Sequence, residues 1–144
     1  MTVSAPARRP PVATRRFGYL IAVGLNALFL YLVNVRPGWD ALPILTEDTV
    51  LVLGLVNVSA TLGILTNVSY VITDPAWWRA TGEIVTTAVG LAVLVRLWDV
   101  FPFAFGGGGT NWGLLVRVVL VVAIVGSILG IVVQLHTLAR ELRR

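Results

Sequence analysis

The chain has 144 residues, 57% of them hydrophobic and 12% charged, and its mean hydropathy is +0.88. Soluble domains carry roughly 25% charged residues, so this composition excludes an ordinary water-soluble domain. The net charge of +4 could suit a nucleic acid, but the basic side chains gather at the ends of apolar runs, where they read as membrane topology signals and not as a nucleic-acid groove.

Every basic residue is an arginine, a bias that points to a GC-rich, bacterial coding sequence. Zero cysteines exclude disulfides, thiolate metal sites and cysteine nucleophiles. Residues 1–16 hold Pro6, Pro10 and Pro11 among Arg8, Arg9, Arg15 and Arg16, a composition expected to form a disordered basic cytoplasmic arm. The apolar run 17–35 is too long for the h-region of a signal peptide and is expected to be the first membrane-spanning helix.

Arg36 then opens a corner with the pattern W-D-x-x-P, Trp39-Asp40-Ala41-Leu42-Pro43. Its prolines and Gly38 end a helix, and Trp39 and Leu42 favour the headgroup boundary. A second helix is expected over 49–72, with Glu47 and Asp48 near the positive end of its dipole. Thr73-Asp74-Pro75 makes a tight turn, Trp77 and Trp78 anchor at the interface, and a third helix follows over 76–98.

The corner motif recurs as Trp98-Asp99-Val100-Phe101-Pro102 behind Arg96, followed by a flexible link at Gly106 to Gly109. A fourth helix is expected over 111–138, and 139–144 form a basic cytoplasmic tail. The expected architecture is an all-α integral membrane protein: a four-transmembrane-helix bundle made of two parallel helical hairpins. Eight arginines fall on the side of the termini and the Asp74 turn, against Arg36, Arg96 and Arg117 on the other. The positive-inside rule then puts both termini in the cytoplasm of a bacterial inner membrane, with both corners outside.

Helices in lipid associate through small and hydrogen-bonding residues. Stripes of that kind run through Gly24, Ala27, Tyr31 and Asn34; through Ser59, Gly63, Thr66 and Tyr70; through Ala76, Ala80, Glu83, Thr87 and Gly90; and through Ala123, Ser127, Gly130, Gln134 and Thr137. Gly126-x-x-x-Gly130 adds a small-x-x-x-small motif suited to packing within the chain or against a second copy. Glu83 lies about 8 Å along its helix from Trp78. It is either a proton or cation site, a polar contact between subunits, or the ion-pair partner of Arg79 one turn earlier.

Arg36, Asp40, Asp48, Arg96, Asp99 and Arg117 form the outer charged cluster. Local pairs Arg36 with Asp40 and Arg96 with Asp99 are expected, together with a carboxylate for Arg117, because an unpaired guanidinium in lipid costs at least about 2.5–3.5 kcal/mol. His136 is the only histidine, and no H-E-x-x-H, G-x-S-x-G or Walker pattern occurs. The expectation is therefore a protein that is not an enzyme and carries no cofactor or metal. Its partners are membrane lipids and either copies of itself or a larger membrane complex, in which it is an accessory or scaffold subunit. The competing expectation is an oligomeric channel or transporter with a polar path along Glu83, Thr87, Asn57, Asn67 and Gln134.

Overall fold

A computed structural model describes residues 8–144; the part of the basic arm before Arg8 lies outside the described residues. Four helices follow one another: α1 Val12–Asn34, α2 Val50–Ile72, α3 Ala76–Val100 and α4 Trp112–Leu142. Each is long and apolar enough to cross a membrane. Apart from these, the described residues form single 3-10 turns at Trp39–Ala41 and Glu47–Thr49 and one isolated β-bridge.

The helix limits depart from the sequence expectation where breakers act. α1 begins at Val12, inside the arm expected to be disordered. Pro11 sits at its N-cap, where a missing N–H costs nothing, and the Arg15 amide closes the first turn on the Pro11 carbonyl at 3.1 Å. α3 runs on to Val100, because the next steric obstacle is Pro102, which disfavours right-handed α geometry at Phe101. Phe101 takes left-handed values, φ 44° and ψ 67°, and its amide still reaches the Leu97 carbonyl at 2.9 Å. α4 continues to Leu142, since neither glycine nor proline follows Gly130 to stop it.

The expected four-helix bundle takes the form of an open row. α1 packs on α2, α2 on α3 and α3 on α4, and among the described residues no extensive contact joins α1 to α4. In a lipid surround, with chains as apolar as leucine, closing such a row into a ring would gain little. Few side chains are fully covered: Val52, Ala60, Tyr70, Ala80 and Leu120 are the buried hydrophobics, and α1 has none. Large apolar groups face outward, among them Phe17, Leu25, Val122 and Val133.

The face that α1 turns to α2 also differs from its expected stripe. Arg15, Tyr19, Ala22, Val23, Asn26, Leu30 and Val33 are its partly covered residues, whereas Gly24, Ala27, Tyr31 and Asn34 are exposed. Spacings of three and four persist, so the seam is of the expected kind. It is centred on Arg15, Tyr19 and Asn26 and not on Gly24 and Ala27.

Candidate functional site

Polar side chains concentrate at the two ends of the row. At one end the turn between α2 and α3 carries Asp74, and α1 delivers its first residues against it. Arg15 grips the carboxylate twice, Nε to Oδ2 at 2.7 Å and Nη2 to Oδ1 at 3.1 Å, while the Tyr19 hydroxyl donates to Oδ2 at 3.0 Å. Arg9 donates to the Asp74 carbonyl at 3.1 Å. The hydrogen bond from Arg15 is the main reason the Asp74 carboxyl is held down to about 2 from an ordinary 3.8.

Behind this lock the helices approach closely. The Tyr19 and Tyr70 rings lie 5.3 Å apart, and the Tyr70 hydroxyl rests on Gly82 so tightly that a Cβ at Gly82 would collide with it. Trp78 donates to the Ser69 hydroxyl at 3.1 Å. Further along α2, Gly63 gives room to the Asn26 amide, whose atoms would sit 3.1 Å from a Cβ added there. Asn34 and Asn57 exchange amide hydrogen bonds at 2.9 and 2.8 Å between α1 and α2. Each such exchange is worth about 0.6 kcal/mol in a membrane protein.

Between α3 and α4 at the Asp74 end lies a cavity of about 480 Å³. The Glu83 carboxylate accepts from Arg79 Nη2 at 3.3 Å and from Gln134 Nε2 at 3.4 Å. Arg79 Nε and Gln134 Oε1 are both buried without a hydrogen-bond partner. Arg9 reaches the same cavity from the segment before α1, and Ala80 and Gly130 form part of its wall.

At the opposite end the two W-D-x-x-P corners meet. Leu45 and Phe103 form an antiparallel bridge, with the Thr46 amide on the Pro102 carbonyl at 2.9 Å and the Ala104 amide on the Ile44 carbonyl at 2.8 Å. The two copies differ locally. Trp39-Asp40-Ala41 is a separate 3-10 turn, whereas Trp98 and Asp99 belong to the last turn of α3. Gly38 at φ 87° makes the first corner possible, because a side chain there would be strained and its Cβ would stand 2.6 Å from Asp40 Oδ1. Beneath the joined corners is an apolar cavity of about 510 Å³ bounded by Phe29, Trp39, Leu42, Leu97 and Phe103.

The outer charged residues do not pair as the sequence suggests. Among the described residues the ion pairs are Arg15 with Asp74, Arg79 with Glu83 and Arg144 with Glu141. The expected pairs Arg36 with Asp40 and Arg96 with Asp99 are not among them. Arg96 approaches the Leu51 carbonyl at 3.5 Å, and Asp40 turns back over Gly38. Arg117 stands over aromatic rings instead of a carboxylate, 4.2 Å from the Phe101 centroid and 4.7 Å from that of Trp98. An aromatic face is worth about 2 kcal/mol to a guanidinium when the pair is desolvated.

No family model, curated protein or solved structure matches this chain.

Of the residues expected along a polar path, Glu83 and Gln134 share one cavity, while Thr87, Asn57 and Asn67 are not part of its lining. Asn57 is engaged with Asn34, and Asn67 bonds the Gly63 carbonyl of its own helix at 2.8 Å. Space above Gly126 is open to 4 Å, and so is that above Gly130. Sequence reasoning missed Arg15, Tyr19, Asp74 and Asn26. Its own topology put the arm and the Asp74 turn on one side, which was the available signal for the ion pair.

Proposed function

We propose that the chain is a multi-pass membrane protein that works through helix association, as a homo-oligomer or as an accessory or scaffold subunit of a membrane complex. In this reading α1–α2 and α3–α4 are two parallel hairpins in a bacterial inner membrane, with both termini cytoplasmic. The arginine count supports that orientation, and so does the gathering of Arg9 and Arg15 at the Asp74 turn, opposite the joined corners. A helix of 31 residues such as α4 is about 46 Å long against a hydrocarbon core of about 30 Å. Its last turns, with His136 and Arg140, then stand among headgroups.

The observation that carries the functional reading is the open row. α1 and α4 each pack on one neighbour, and both carry exposed glycines with nothing above them, Gly18 and Gly24 on α1 and Gly126 on α4; Gly54 and Gly90 on the inner helices also have nothing above them. Glycine in a helix costs roughly 1 kcal/mol relative to alanine. In lipid that cost is offset where another helix comes close, and within this chain none does. Asn34, Asn57, Thr66 and Ser127 inside the spans are meanwhile occupied by an adjacent helix or their own backbone.

The test is Gly126→Leu, which fills open space and leaves the fold of the single chain intact. Analytical ultracentrifugation in detergent and crosslinking in native membranes are expected to show association weakened by about tenfold or more, roughly 1.4 kcal/mol. A wild-type chain that is strictly monomeric in both settings, with no partner captured, removes the reading.

A further inference from the structure

The cavity beside Glu83 is a polar site whose hydrogen-bonding is unfinished. The Glu83 carboxylate only accepts, so its contact with Gln134 assigns Nε2 to the side toward Glu83 and leaves Oε1 without a donor. Both carboxylate oxygens are then engaged, one by Arg79 and one by Gln134. What is left is a buried donor without an acceptor, Arg79 Nε, and a buried acceptor without a donor, Gln134 Oε1. Both belong to side chains that line the cavity, and unsatisfied polar groups beside a roomy cavity mark a place where a small side-chain rotation can meet water or a ligand.

Charge narrows the choice. Arg9 and Arg79 face the cavity against the single carboxylate of Glu83, leaving one net positive charge, while Asp74 is neutralised by Arg15. An occupant that completes the site brings one negative charge with acceptor oxygens for the arginines, and a neutral donor for Gln134. Val133 also lines the cavity and is 64% exposed, so the site opens sideways along apolar helix surface. An amphiphile moving in the plane of the membrane can reach it that way.

We propose that this cavity binds the headgroup of an anionic, hydroxyl-bearing glycerophospholipid of the phosphatidylglycerol type. Its phosphodiester lies against Arg79 and Arg9, a headgroup hydroxyl donates to Gln134 Oε1, and its acyl chains run along α4. Basic pockets between membrane helices suit anionic lipid headgroups in this way. The proposal rests on the reading that α3 and α4 are in a bilayer; it does not require copies to associate.

Native mass spectrometry of the full chain, delipidated in detergent, tests it with phosphatidylglycerol, phosphatidylethanolamine, phosphatidylcholine and glycerol phosphate. Phosphatidylglycerol is expected to be retained at about tenfold lower concentration than either zwitterionic lipid. Arg79→Gln and the surface variant Arg9→Gln abolish most of that preference, and Gln134→Leu reduces it; Arg9→Gln keeps the test valid if a cavity variant fails to fold. Equal retention of a zwitterionic lipid, or an unchanged preference in Arg9→Gln and Gln134→Leu, overturns the site. Competition by glycerol phosphate at the concentration of the lipid overturns the lipid assignment in favour of a soluble anion. Gly126→Leu leaves the preference unchanged, which separates this outcome from failure of the association reading.

Discussion

The two ends of the helix row are fastened by different chemistry. At the Asp74 end one carboxylate receives two bonds from Arg15 and one from Tyr19. At the corner end Asp40, Asp48 and Asp99 make no ion pair among the described residues, and the fastening is a backbone bridge with aromatic rings beneath Arg117. Acids are thus more numerous where they are used less. The Asp74 turn has only Thr73 to Pro75 between two helices, so the backbone that carries its carboxylate has little freedom left to lose. The corners are longer loops, in which holding a charge pair costs side-chain and backbone freedom that an exposed pair does not repay.

The largest expected effect comes from crowding the tight end. Gly82→Leu forces a side chain into the Tyr70 hydroxyl and is expected to cost roughly 1–3 kcal/mol, read as a lowered Tm in detergent. Gly90→Leu, on the same helix but with nothing above it, is the matched control and leaves Tm nearly unchanged. Equal losses at both positions would break the contrast between packed and open sites.

Acid comes next. Because the Asp74 carboxyl is held down to about 2 from 3.8, its contribution to stability is fully present above about pH 4 and disappears as the pH falls through 2. Thermal melts of the wild type are expected to decline across that window. Asp74→Asn starts lower at neutral pH and declines less. Asp99→Asn, at the corner end, melts like the wild type within about 0.5 kcal/mol.

At the corner end the expected effects are smaller. Arg117→Gln removes a cation from two ring faces and is expected to lose about 0.5–2 kcal/mol, with Arg117→Lys keeping part of it. If removing Asp48 or Asp99 matches the loss at Arg117, a carboxylate partner is indicated instead. Smallest of all is the Asn34 and Asn57 exchange, for which a double-mutant cycle to alanine should give a coupling near 0.6 kcal/mol.

Much of the fold was legible because periodic apolar runs and their breakers act locally. The end of α2 and the start of α3 follow from Thr73 and Pro75, and the two W-D-x-x-P corners do meet. What was not legible depends on distance in three dimensions. Small residues announce close packing in general, but which face of α1 turns inward follows Arg15 and Tyr19 bonding Asp74 and Asn26 packing on Gly63. Likewise charge counting suggested a carboxylate for Arg117, whereas the left-handed end of α3 swings Phe101 under it. Glu83 and Gln134, from two separate stripes, do meet across α3 and α4.

The central claim is that α1 and α4 are the open edges of a row and are covered by other chains. Since the protein has no cysteine, a chain carrying both Gly24→Cys and Gly126→Cys can be oxidised in native membranes and its products resolved by size. The account predicts adducts between chains, to a second copy or a partner, and no internal α1–α4 disulfide. An internally linked monomer as the main product would contradict it, because the row would then be closed upon itself.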